Sequence, residues 1–130
     1  MKEITTHHVN GLNEAIRITV LDEPGPGGAC HLYRLELKSP TTRKPDETGI
    51  NPNVTLRFQN GPIKGPEDFN GVTNEAILAV LIHPMNGFAT GPFACVENTD
   101  ALAYLNMAAT ALAARTKARL ARGVEGSNTP

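Results

Sequence analysis

The chain has 130 residues, 40% hydrophobic and 5% aromatic, with no Trp and a formal net charge of −1. That length suits one domain whose modest core is built from Val, Ile, Leu and Ala. The charge balance gives no attraction for DNA, RNA or an anionic membrane.

The first half reads as strands and loops. AIRITVLD (15–22) alternates Ile16, Ile18 and Val20 with Arg17 and Thr19, the pattern of a half-buried strand. EPGPGGA (23–29) is a turn. CHLYRLEL (30–37) alternates again, with Leu35 and Leu37 on one face beside His31 and Tyr33, and Leu32 and Arg34 on the other. A loop at 39–53, rich in Pro, Thr and charge, precedes a third strand, VTLRFQNG (54–61). The second half reads as a helical hairpin. Thr73 is placed to cap a first helix through EAILAVLIH, so apolar that burial on all sides is expected. Pro84 and Gly87 should end it near His83. A second helix begins somewhere between Pro92 and Thr99, runs to about Arg122 and closes at Gly123, leaving a polar tail, 124–130. The expected architecture is therefore α+β: an N-terminal antiparallel β-sheet (1–62) followed by a C-terminal two-helix hairpin (72–123).

Little in this pattern carries reaction chemistry. His7 and His8 are adjacent, so on a strand they point to opposite faces, and neither His31 nor His83 has a ligand partner at metal-site spacing. There is no GxSxG, and GPGGA lacks the GK[ST] ending of a phosphate loop. Cys30 and Cys95 lie in different segments and are expected reduced, because MKEITTHHVNG has no signal-peptide core and a cytosolic setting follows. No catalytic residue, metal or cofactor is assigned. The arginines are more informative. Arg115, Arg119 and Arg122 share one helix face at spacings of four and three. Cations near a helix C-terminus complement its macrodipole, which accounts for Arg119 and Arg122 better than for Arg115. Guanidinium forks also suit phosphate oxygens. Arg34 and Arg57 are the corresponding residues on the strands. Between the helices, GFATGPFACVEN (87–98) holds two of the four phenylalanines, Phe88 and Phe93, and Phe93 is the better candidate for a core ring.

Taken together, GGACHLYRLEL, RFQNGPIK, NGVTNEAILAVLI, the bend GPFACVEN and the end RTKARLARGVEG resemble the Thoeris anti-defence proteins of phages, first type, whose hairpin is shared with anti-CBASS sponge proteins. His83-Pro84 departs from that pattern. The resemblance implies a non-enzymatic sponge in the host cytoplasm that binds a glycocyclic ADP-ribose made by a TIR-domain sensor. It implies a homo-oligomer, a dimer or a larger assembly such as a hexamer, with cyclic oligonucleotides as further ligands of some members. By motif position the pocket is Arg34, Phe88, Asn98 and Arg115, with Arg57, Asn74 and Arg119 in the wider candidate set. Phe88 offers a stacking face, Asn98 a base-pairing amide, and Arg34 and Arg115 a pyrophosphate clamp. The competing readings are a phosphodiesterase that cleaves the messenger and a structural hairpin protein of phage assembly. A site shared between two subunits is expected, with Ala101, Ala108 and Ala109 beside Leu102, Leu105 and Leu112 as the seam; packing of that face on the chain's own sheet is the alternative.

Overall fold

The structure is a computed structural model describing residues 2–38, 51–127 and 129–130. Most of the expected loop at 39–53 falls outside them. The chain forms two compact units, Met1–Asn60 and Gly61–Pro130.

The first unit is a four-stranded antiparallel sheet in the order β1 (Lys2–Ile4), β2 (Ile16–Val20), β3 (Leu32–Leu37), β4 (Val54–Arg57). A four-residue helix, α1 (Gly11–Glu14), capped by the Asn10 side chain, turns the chain from β1 into β2. Neither β1 nor α1 is predicted from the strand alternation, which begins at Ala15. The register puts like with like. Ile16 faces Leu37, Ile18 faces Leu35 and Val20 faces Tyr33 across β2 and β3, and Tyr33 and Leu35 continue to Leu56 and Val54 on β4. One face is therefore a continuous apolar surface, with Val20 buried and Tyr33 edge-on to Phe58 at 5.8 Å. The other face carries Arg17, Thr19, Arg34, Glu36, Thr55 and Arg57. A one-residue slip would exchange these two faces, so the alternation itself locks the pairing.

The second unit is the expected hairpin, α2 (Asn74–Thr90) and α3 (Val96–Arg122). Thr73 caps α2, its Oγ1 accepting from the Ala76 amide at 3.1 Å. The helix does not stop near His83; it runs through Pro84 and Gly87 to Thr90. Its half-buried residues explain why: Leu78, Ile82, Met85 and Ala89, with Ile77 beside the first, keep a four–three–four rhythm on both sides of the proline. The matching stripe on α3 is Asn98, Leu102, Leu105, Ala109 and Leu112, with Ala101 beside Leu102, the alternating four–three spacing of a packed helix seam. Leu102, Leu105, Ala109 and Leu112 thus belong to the seam against α2 within one hairpin.

Burial of α2 on all sides is not what the chain provides. None of its residues is buried, and Val80 is 66% exposed. Within this unit α2 packs on one helix, which covers one stripe and leaves the remaining apolar surface open.

Candidate functional site

Phe88 and Asn98 meet where the helices turn. Gly91 ends α2 with its amide on the Gly87 carbonyl at 2.8 Å, and a Cβ there would strike that same oxygen at 2.8 Å. Only glycine fits so close an approach. Pro92 and Phe93 then occupy the middle of a turn closed by the Ala94 amide on the Gly91 carbonyl at 3.1 Å. Cys95 caps α3 without a side-chain bond, which is why the sequence carries no clear start signal. Asn98 sits in the first turn of α3, and its Nδ2 donates to the carbonyl oxygens of Phe93 at 3.1 Å and Phe88 at 3.5 Å. That amide group is therefore occupied in holding the bend, and its Oδ1 is the atom left for a ligand. Phe88 is 49% exposed and Phe93 is 77% exposed. Phe93 is thus not a core ring: the tight turn lifts it off the seam that Met85 and Ala89 occupy.

Asn74 opens α2, and the expected cations lie towards the far end of α3. Arg115 is exposed, with no hydrogen-bond or ion-pair partner among the described residues. Arg119 differs: it is 7% exposed, and its guanidinium donates to Glu125 Oε2 and to the carbonyls of Val124, Ser127 and Thr129. Gly123, left-handed at φ 73°, turns the chain so that this tail can wrap its own helix end. Arg122 likewise donates to the Pro130 carbonyl at 3.0 Å.

The sheet brings Arg34 and Arg57 to the same polar face on neighbouring strands, since Arg34 faces Thr55 and Leu32 faces Arg57. Arg34 bonds the Thr55 hydroxyl at 3.2 Å and lies 3.5 Å from Glu36, which also approaches Arg17 at 4.0 Å. These pairs are partly exposed and contribute little individually. A distinct polar feature, without a signal in the motif pattern, lies at the β2–β3 connection. The Asp22 carboxylate accepts the backbone amides of His31 and Leu32 at 2.9–3.1 Å and borders an open cavity of about 600 Å³ that includes Lys2, Pro24 and Cys30. Burial opposes its ionisation. The two amides and the His31 ring outweigh that effect and hold its carboxyl below the ordinary carboxylate range. Among the described residues no group of three His, Cys, Asp or Glu side chains is arranged for a metal ion, and no helix is long and apolar enough to cross a membrane.

These features define an α+β protein whose helical hairpin carries open aromatic and cationic groups at opposite ends of α3. No family model matches the chain. It is similar to a curated phage protein, "Thoeris anti-defense 1" of Bacillus phage SBSphiJ7, at 39% identity over 75 residues. The aligned part is 58% of this chain and 52% of that relative, so the chain spans about half the length of the relative it matches. The match supports the resemblance to Thoeris anti-defence proteins of the first type.

Proposed function

We propose that this chain is a phage anti-defence sponge, a protein that sequesters a glycocyclic ADP-ribose signal without degrading it and thereby blunts Thoeris immunity. The observation that carries the reading is the pair of open groups on the hairpin: the half-exposed Phe88 ring at the bend and the Arg115 guanidinium on α3, exposed and without a partner among the described residues. An ADP-ribose messenger has a flat base and two phosphates, the two chemistries these side chains complement. Stacking on an aromatic ring contributes about 1–3 kcal/mol per base, and a charge-assisted bond to phosphate about 1.5–3 kcal/mol. The named relative supports the anti-defence half of the reading.

The exposed apolar surface of the hairpin supports a homo-oligomer. Val80 and Leu81 on α2, and Tyr104 and Met107 on α3, stand open in the single chain. Apolar surface of that kind is ordinarily covered by association. A second copy also supplies the missing half of a ligand site, because one helix cannot bring its own two ends to one small molecule. Arg34 and Arg57, on the polar face of the sheet in the first unit, are separate candidates for anion contacts.

The test is release on denaturation. The protein is incubated with a glycocyclic ADP-ribose, freed of unbound ligand and heated, and the supernatant is analysed by mass. Intact messenger recovered in stoichiometric amount is the expected result. A cleaved product would instead identify a phosphodiesterase-type enzyme, and no captured ligand at all would favour a structural hairpin protein. Cyclic di- and trinucleotides offered in the same assay determine whether the sponge extends to CBASS signals.

A further inference from the structure

We infer that Phe93 is a second aromatic contact for the base of the bound nucleotide, and that Asn98 acts as a positioning residue that sets the Phe93 and Phe88 rings. This rests on the nucleotide-binding reading above. Phe93 is 77% exposed although the chain has only four phenylalanines, and it occupies a turn whose geometry is tightly specified. Pro92 fixes the backbone torsion before it, the Gly91–Ala94 bond closes the turn, and the Asn98 amide holds the Phe93 carbonyl itself. The same amide reaches the Phe88 carbonyl in the last turns of α2. One side chain therefore ties together the backbones that carry both rings. Neither ring stacks on another aromatic among the described residues, so their faces are open to a ligand.

Placing a large apolar ring on a rigid, solvent-facing turn is unfavourable unless something covers it, and a purine base is flat, apolar on its faces and of matching size. Because the two hydrogens of the Asn98 amide are directed to carbonyl oxygens, pairing them instead with a base edge would release the bend. The side chain's contribution to a ligand is then its Oδ1 acceptor and, above all, the arrangement of the rings.

The test uses the full chain, a glycocyclic ADP-ribose as probe, and the variants Phe93→Leu, Phe93→Tyr and Asn98→Asp. Phe93→Leu should weaken binding between about five- and a hundred-fold and reduce the hypochromicity of the adenine band on binding. Phe93→Tyr, which keeps a ring, should restore both. Asn98→Asp keeps an acceptor and loses the donors; it should weaken binding and speed amide exchange across the bend from Gly91 to Cys95, even without ligand. Wild-type affinity and hypochromicity in Phe93→Leu overturn the ring assignment. Lost binding in Asn98→Asp with unchanged exchange makes Asn98 a direct contact and overturns its positioning role. A wild-type chain that binds no probe overturns the nucleotide reading itself, and is recognised before any variant is compared.

Discussion

Arg119 donates its Nε to the Glu125 carboxylate at 3.1 Å, and both terminal nitrogens of the guanidinium donate to carbonyls of the tail that Glu125 belongs to. This buried fork has become the anchor of the chain that follows α3. It cannot offer those same donors to a phosphate, so the helix presents Arg115 rather than Arg119 as its open cation.

The anchoring makes a direct prediction. Arg119→Ala removes the donor from several acceptors at once and leaves a carboxylate without its partner, which should cost about 2–4 kcal/mol of stability. Arg119→Lys keeps the charge and loses the fork, so it should recover only part of that. Thermal unfolding and proteolysis of the tail measure both. An Arg119→Ala protein with wild-type melting temperature and a protected tail would show that these bonds contribute nothing.

Asp22 governs the acid limb of stability in the sheet. A carboxyl held below its unfolded value contributes stability at pH above that unfolded value and loses it as pH falls through the folded one. Wild-type melting temperature should therefore be flat with respect to Asp22 above the ordinary carboxylate range and fall below it. Asp22→Asn should melt lower than wild type at neutral pH, and the gap should close as the buffer is acidified. Melting curves of the two proteins across that range decide it; a gap that stays constant with pH means the charge of Asp22 is not what the His31 and Leu32 amides stabilise.

The pairing of β2 with β3 is legible because its alternation is strict. Ile16, Ile18 and Val20 match Leu37, Leu35 and Tyr33 with no residue out of phase, and a period of two admits one pairing of faces. The helix end was not. Pro84 is a strong local breaker, yet Ile82 and Met85 on either side belong to one packing stripe, and seam contacts outweigh one missing backbone bond. Arg115 stands out by residue type and helix position, while Arg34 and Phe88 enter the candidate set through the family resemblance. The burial of Arg119 has no such signal, because it depends on a tail folding back at Gly123, which no periodicity encodes. Phe93 was misplaced for a related reason: aromatic composition suggests a core, and only the turn geometry exposes it.

Pro84 yields a prediction of its own. Pro84→Ala restores an amide facing the Val80 carbonyl and relieves the ring clash one turn back. An interior proline costs a helix about 3 kcal/mol, and the freer unfolded chain of the variant offsets about 0.4–1 kcal/mol. The variant should be more stable by about 2–2.5 kcal/mol and should melt several degrees higher. A lower melting temperature would mean that the proline is favoured by contacts on the open face of α2.

The last prediction concerns the two ends of α3. Asn98 and Arg115 stand seventeen positions apart on one unbroken helix, about 25 Å along the axis and about a hundred degrees around it. A closed ADP-ribose ring is far smaller than that span, so a single helix cannot present both the bend that Asn98 holds and Arg115 to one ligand. Antiparallel pairing of the hairpin with a second copy brings the bend of one subunit beside the Arg115 end of the other. Two-fold symmetry makes a pair of such sites from one interface. Arg115→Ala should then lower affinity for a glycocyclic ADP-ribose about ten- to a hundredfold or more while leaving the melting temperature unchanged, because the residue is exposed and has no partner among the described residues. Asn98→Ala should also bind poorly. Mixed and allowed to exchange subunits, the two variants form heterodimers in which one interface site draws Asn98 and Arg115 from the unaltered ends, while the other site lacks both. Calorimetry on the mixture should recover one tight site per heterodimer. Native mass spectrometry verifies the exchange, and if it proceeds without any return of binding, the bend that Asn98 holds does not meet Arg115 across subunits.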